Sequence, residues 1–116
     1  MIIIAGTIDL ADAGRLDECM AKAGPLQQAT RDDEPGCLAY CFSVDPCVAG
    51  RIQVYELWAD EASLAAHFQH ENYRAMGTLL RSYLKAADNR KYRCDLSEPV
   101  YDADHRPRAD FFTAPA

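Results

Sequence analysis

Hydrophobic residues recur along this chain with two different periods, and the switches between them lay out its elements. Ile2-Ile3-Ile4-Ala5 continues through Thr7, Ile8 and Leu10, a β-branched run that predicts a buried strand over 2–10. Asp12 is placed to cap a helix whose apolar positions Leu16, Cys19, Met20, Ala23 and Leu26 follow the helical repeat. Gly24-Pro25 falls inside it, so a kink or two abutting helices is expected, and Glu34-Pro35-Gly36 ends it. From Cys37 to Val44 the pattern alternates, with Leu38, Tyr40, Phe42 and Val44 on one face. Asp45 to Gly50 is turn chemistry, and Arg51 to Trp58 returns as the next strand. Asp60 caps a short helix with Ser63 at its third position. His70-Glu71-Asn72 breaks it and caps a longer one carrying Tyr73, Met76, Leu80, Tyr83 and Leu84. A final strand holds Tyr92, Cys94 and Leu96 on one face. The order is β-α-β-β-α-β, an α+β chain with an antiparallel ferredoxin-like sheet.

That body occupies residues 1–96 and makes one domain at this length of 116 residues. Residues 97–116 form a C-terminal extension with Pro99, Pro107 and Pro115 and the aromatics Tyr101, Phe111 and Phe112. It is expected to dock on the body or on a partner subunit. The second face of the strands is also apolar: Met1, Ile3 and Ala5, then Cys37, Ala39 and Cys41, then Tyr55 and Leu57. Two helical segments can blanket one side of the sheet only, so the other needs cover. A twofold homodimer with sheets packed face to face supplies it.

Composition narrows the partners. A net charge of −6 leaves no basic excess for nucleic acid. Half of the basic residues nevertheless lie from Arg74 to Arg93, as a solvated helix face and edge strand or as a local attraction for an anionic substrate. Neither a signal-peptide pattern nor an apolar run of roughly 20 residues is present, so a cytoplasmic protein off the membrane is expected. Cys19, Cys37, Cys41, Cys47 and Cys94 lack tight CxxC spacing and read as reduced packing residues.

The chemistry concentrates between Tyr40 and Tyr83. Trp58 ends a strand just before a helix cap, where an indole can line a pocket mouth or anchor a core. His67, beside Phe68 on the short helix, can exchange a proton near neutral pH or serve as a packed, hydrogen-bonded ring. With Tyr73 these are the candidate catalytic residues; Tyr40, Tyr55, Phe68, Asn72 and Tyr83 complete the expected substrate pocket. His67 with His70 or Glu71 has two-ligand helical spacing but no third ligand, so no metal site is expected. No P-loop, nucleophile elbow or dinucleotide fingerprint occurs, and no cofactor is expected.

Three segments carry a family resemblance: Ala29-Thr30-Arg31 through Glu34-Pro35-Gly36-Cys37-Leu38-Ala39-Tyr40, then Tyr55-Glu56-Leu57-Trp58-Ala59-Asp60, then His67 with Tyr73. Over residues 1–96 the chain resembles the antibiotic biosynthesis monooxygenase superfamily, dimeric α/β barrels that include small quinol and anthrone oxygenases. The resemblance implies a cofactor-independent monooxygenase acting on a small quinol- or anthrone-like aromatic. His67 would be the base, Trp58 a pocket wall and donor, and Tyr73 a second donor. The polyketide-oxidising branch has an Asn and a Tyr where this chain has Val54 and Leu64. The haem-degrading branch has a His where Gly77 stands and an Asn where Gly6 and Thr7 stand, which argues against haem degradation. Two further readings stay open. One is a proton-transferring isomerase of a small, even phosphorylated, carbonyl compound; the other is a non-catalytic small-molecule-binding dimer.

Overall fold

The inward alternation of the first strand decides which side of the sheet becomes the core. In the computed structural model, which describes residues 1–113, β1 (Ile2–Leu10) buries Ile2, Ile4, Ile8 and Leu10 on one face. A short 3₁₀ turn (Ala13–Arg15) follows, with the Asp12 side chain accepting from the Gly14 N–H, and leads into α1 (Leu16–Asp33). Then come β2 (Cys37–Val44), β3 (Arg51–Trp58), α2 (Glu61–Gln69), α3 (Glu71–Arg81) and β4 (Leu84–Arg93). The strands form one antiparallel sheet in the order β2-β3-β1-β4. The fold is open α+β and ferredoxin-like. Cys19 and Ala23 of α1, Leu64 of α2 and Met76 and Leu80 of α3 close over Ile52, Val54, Tyr40 and Phe42 of the sheet.

β2 is an edge strand, and α1 covers part of its backbone. The Gln27 amide accepts from Phe42 N at 2.8 Å and donates to Phe42 O at 3.2 Å, while Arg31 Nε donates to Tyr40 O at 2.7 Å. These bonds satisfy peptide groups that an edge would otherwise leave to water. They also fix where the Tyr40 and Phe42 rings enter the core.

Four expectations need correction. Of the two outcomes expected at Gly24-Pro25, abutting helices do not form: α1 is one element, and Pro25 lies on its exposed side, where water can serve the carbonyl that the missing N–H forgoes. Leu38 is 54% exposed rather than inward, because the register with β3 shifts between Cys37 and Ala39 and Leu38 is the extra residue of the bulge. Val44, at the far end of β2, is also exposed. Finally, the second long helix stops at Arg81, and Leu84 opens β4 instead of closing the helix. The strand therefore runs Leu84–Arg93 rather than Tyr92 to Leu96. Its polar run from Lys85 to Lys91 shows no apolar alternation, since this edge is exposed along nearly its whole length in the protomer and is held by its ladder to β1.

Beyond β4 the extension is internally bonded. Tyr101 and Pro107 bridge, Asp102 accepts from the N–H groups of Asp104 and Arg106, and Glu98 accepts from those of Phe112 and Thr113. Leu96 and Phe111 share a hollow of about 220 Å³ with Met1, Ile3, Tyr55 and Leu57 on the outer face of the sheet. The last three positions of the 97–116 extension, Pro115 among them, lie outside the described residues. No helix among the described residues is long and apolar enough to cross a membrane.

Gly6 is the one sheet position where a side chain is refused. A Cβ there would lie 2.1 Å from the Asp88 carbonyl oxygen and 2.6 Å from the Asn89 Cα, both backbone atoms of β4. Gly6→Ala should therefore destabilise the fold by roughly 1–3 kcal/mol through forced separation of β1 and β4. Denaturant unfolding measures this; an unchanged midpoint would show that the two strands part freely.

Candidate active site

The short helix α2 exists to present one imidazole. Asp60 caps it by accepting from Ser63 N at 2.7 Å, and the helical repeat then turns Leu64 and His67 inward together. His70 ends it and starts α3, with Nδ1 accepting from Asn72 N at 3.0 Å. That turn sets Tyr73 on the first turn of α3, beside His67.

His67 is 2% exposed and caged by rings. Trp58 stacks 4.4 Å away at 34°, Tyr73 meets it edge-on at 5.3 Å, and Tyr40 edge-on at 5.7 Å. Its Nδ1 lies 2.8 Å from Glu34 Oε1. The other oxygen of that carboxylate accepts from the Asn72 amide at 3.2 Å. One carboxylate at the end of α1 thus orients the imidazole of α2 and grips the start of α3. With Nδ1–H donated to Glu34, Nε2 is the nitrogen available to a bound molecule. Burial pushes the His67 pKa below its ordinary value, partly countered by the Glu34 hydrogen bond and charge. A neutral ring with a basic Nε2 is the result near pH 7.

Glu56 is the second ionisable group of the site. It occupies the inward phase of β3 between Val54 and Trp58 and is 7% exposed. Trp58 Nε1–H donates to its Oε1 at 2.9 Å. Burial pushes its pKa up to about 7, against the lowering effect of the Trp58 bond and with help from the Glu34 charge. The Tyr40 phenol, buried near Glu56 and Glu34, is pushed well above its usual range and stays a proton donor.

A hollow of about 160 Å³ lies between the sheet and the two helices, lined by Tyr40, Phe42, Glu56, His67, Phe68, Tyr73 and Asn89 among others. A wider one of about 380 Å³ shares Glu56, Phe68, Tyr73 and Asn89 and adds Ile4, Arg90 and Lys91 of β1 and β4. Together they form an aromatic recess with a basic mouth.

Of the expected residues, His67, Tyr73, Phe68 and Tyr40 meet here. Trp58 stands behind His67 with its N–H committed to Glu56, and Asn72 binds Glu34. Tyr55 is on the outer sheet face, and Tyr83 is at the far end of α1 with Lys22, Glu18 and Arg15. Glu56, Glu34 and Asn89 were missed. Glu56 had a signal, an acid in phase with Ile52, Val54 and Trp58. Glu34 had none beyond preceding Pro35, and Asn89 depends on its pairing with Gly6.

This arrangement sits in a chain whose residues 1–78 match the family model for antibiotic biosynthesis monooxygenase. The chain belongs to that family. Solved structures agree on the fold. A candidate antibiotic biosynthesis monooxygenase from Deinococcus radiodurans is 23% identical, with 88% of this chain and 100% of that one covered at a TM-score of 0.74. Another from Caulobacter crescentus is 22% identical, covering 84% and 90% at 0.73. A conserved protein from Methanosarcina mazei is 24% identical, covering 79% and 90% at 0.71. No curated protein matches the chain. Among the described residues no group of three His, Cys, Asp or Glu side chains is placed to hold a metal ion.

The Glu56 shift links the site to stability. A carboxyl raised from the usual 4.5 to about 7 takes up its proton preferentially in the folded chain. Its contribution therefore favours folding below about pH 4.5 and is lost as pH rises through about 7. His67, with its value lowered, acts in the opposite sense below its ordinary pKa. Comparing wild type with Glu56→Gln isolates the carboxyl: the variant should gain on wild type by on the order of a few kcal/mol between acid and mildly alkaline pH. Unfolding measured across that range checks it, and parallel curves would mean the Glu56 carboxyl titrates alike in the folded and unfolded chain.

Proposed function

We propose that the protein is a cofactor-independent monooxygenase that oxidises a small quinol- or anthrone-like aromatic with O₂. The observation that carries this is a buried imidazole, fixed through Nδ1 by Glu34, with Nε2 left for a recess walled by Tyr40, Phe42, Phe68 and Tyr73. Such chemistry needs a base, an apolar site and hydrogen bonds to the oxyanion. Nε2 takes the hydroxyl proton, and the resulting anion gives an electron to O₂. The radical pair combines into a peroxide anion, which takes the proton back from His67 to become a hydroperoxide, and this loses water to leave a new carbonyl. One oxygen atom stays on the product and the other departs as water, so quinol and O₂ become hydroxyquinone and water. Tyr40 and Tyr73 supply phenols beside the imidazole for the oxyanion.

A second reading is supported by Lys91 and Arg90 at the mouth of the wider hollow. An isomerase moving a proton between carbons of an anionic carbonyl compound would use His67 in the same way. Turnover without oxygen separates the two.

The same proposal includes a homodimer formed through the outer sheet face. Met1, Tyr55 and Tyr92 are exposed there in the protomer, beside Ile3 and Leu57, and Phe111 of the extension is 67% exposed. Stacking two such faces removes this apolar surface from water.

Wild type should consume oxygen with hydroquinone or an anthrone, and His67→Ala should lower the rate by about a hundredfold or more. An oxygen electrode measures both; an undiminished rate in the variant would remove His67 as base. Sedimentation at micromolar concentration should give a dimer for wild type and a shift toward monomer for Tyr55→Glu. A wild-type monomer would end the face-to-face arrangement.

A further inference from the structure

We propose that Glu56 is the proton donor of this site, opposed to His67 as the proton acceptor across one hollow. Both side chains line that hollow, and each has one polar atom engaged elsewhere, Glu56 Oε1 by the Trp58 indole and His67 Nδ1 by the Glu34 carboxylate. Oε2 and Nε2 are the atoms left for a ligand. An N–H on Oε1 makes it the carbonyl oxygen of a neutral acid, so the proton of Glu56 sits on Oε2. The charged and titratable groups around it are Tyr40 from β2, His67 from α2, Tyr73 from α3, Arg90 and Lys91 from β4, and Glu34 at the end of α1. Within this set the environments push acid and base apart, with Glu56 still partly protonated near neutrality and His67 neutral.

The step this assigns rests on the oxygenase reading. In the substrate hydroperoxide, His67 Nε2 takes the proton from the peroxide-bearing carbon, and that C–H electron pair becomes the new C=O bond. The O–O bond breaks with its pair on the distal oxygen, which Glu56 Oε2–H protonates, so water leaves. The proton on His67 then returns to Glu56 through solvent, and the two groups end as they began. Removal of the first hydroxyl proton needs a base only; loss of water needs an acid as well.

Glu56→Gln preserves the shape and still accepts from Trp58. Wild type should show a bell-shaped rate profile with its alkaline limb near pH 7. Glu56→Gln should lose that limb, turn over about a hundredfold more slowly and release peroxide. Trp58→Phe removes a contact that lowers the Glu56 pKa, so its alkaline limb should move to higher pH. A merely structural Glu56 would move neither limb, and a Glu56→Gln enzyme with the wild-type rate and limb overturns the proposal. If wild type oxidises no quinol, the oxygenase reading falls, and Glu56 is judged by binding of 2,4-dinitrophenolate, an anion across about pH 5 to 9. Wild type should then bind it more weakly above about pH 7 while Glu56→Gln shows no such step. The same pH dependence in both proteins refutes the donor.

Discussion

One carboxylate, Glu34, ties the helical layer together at the site. Its oxygens bind the His67 imidazole and the Asn72 amide, so the end of α1, the last turn of α2 and the first turn of α3 meet at a single side chain. Hydrogen bonds to a charged group are each worth about 1.5–3 kcal/mol, yet burying the carboxylate costs several. The net gain in stability is therefore small, and what the arrangement secures is geometry. Without Glu34 the imidazole would keep its ring cage but lose the bond that decides which nitrogen carries the proton. The close seat of the Gly36 loop on α2 serves the same end, since a Cβ on Gly36 would collide with Ser63.

The opposing wall follows from strand phase. β3 turns Ile52, Val54, Glu56 and Trp58 to the same side, and β1 and β2 present Ile4, Ile8, Tyr40 and Phe42 around them. Glu56 is buried among Ile4, Ile8, Tyr40 and Phe42, and its Oε1 accepts from the indole N–H; burial sets the direction of its pKa and the indole bond its orientation. Gly6 then matters beyond packing. By offering no side chain it lets Asn89 of β4 lie close over β1, and Asn89 reaches the lining of both hollows.

Much of this was legible in the sequence where burial imposes a period. Ile2 to Leu10 and Arg51 to Trp58 alternate because one face is core, and Asp60 and Glu34-Pro35-Gly36 mark real helix boundaries. β4 was not legible, since a strand exposed along nearly its whole length carries no apolar signal and only pairing with β1 defines it. Leu38 misled for a related reason: a bulge is a register event between two strands and leaves no trace in one of them. Within the site, residue type pointed to His67 and Tyr73 but could not separate Tyr40 from Tyr55. Those two tyrosines lie on strands paired one residue out of step, so they face opposite sides of the sheet. Trp58 was recognised as special for a role its geometry redirects. Its N–H serves a carboxyl two residues away on the same strand, and the carboxyl went unread.

That carboxyl is the least economical choice in the core. A valine at position 56 would complete the stripe of Ile52, Val54 and Trp58 and would carry no desolvation cost. It would leave the indole N–H buried and in need of another partner, a penalty of about 1–3 kcal/mol. The two effects are of similar size, so stability alone does not select an acid here. The surroundings break the tie: the same side chain lines both hollows, one of them together with His67, Tyr40 and Tyr73. A group serving only to satisfy Trp58 would have no need to line a hollow. This one lines the same hollow as the His67 imidazole, where burial keeps the acid partly protonated near neutrality and the ring neutral.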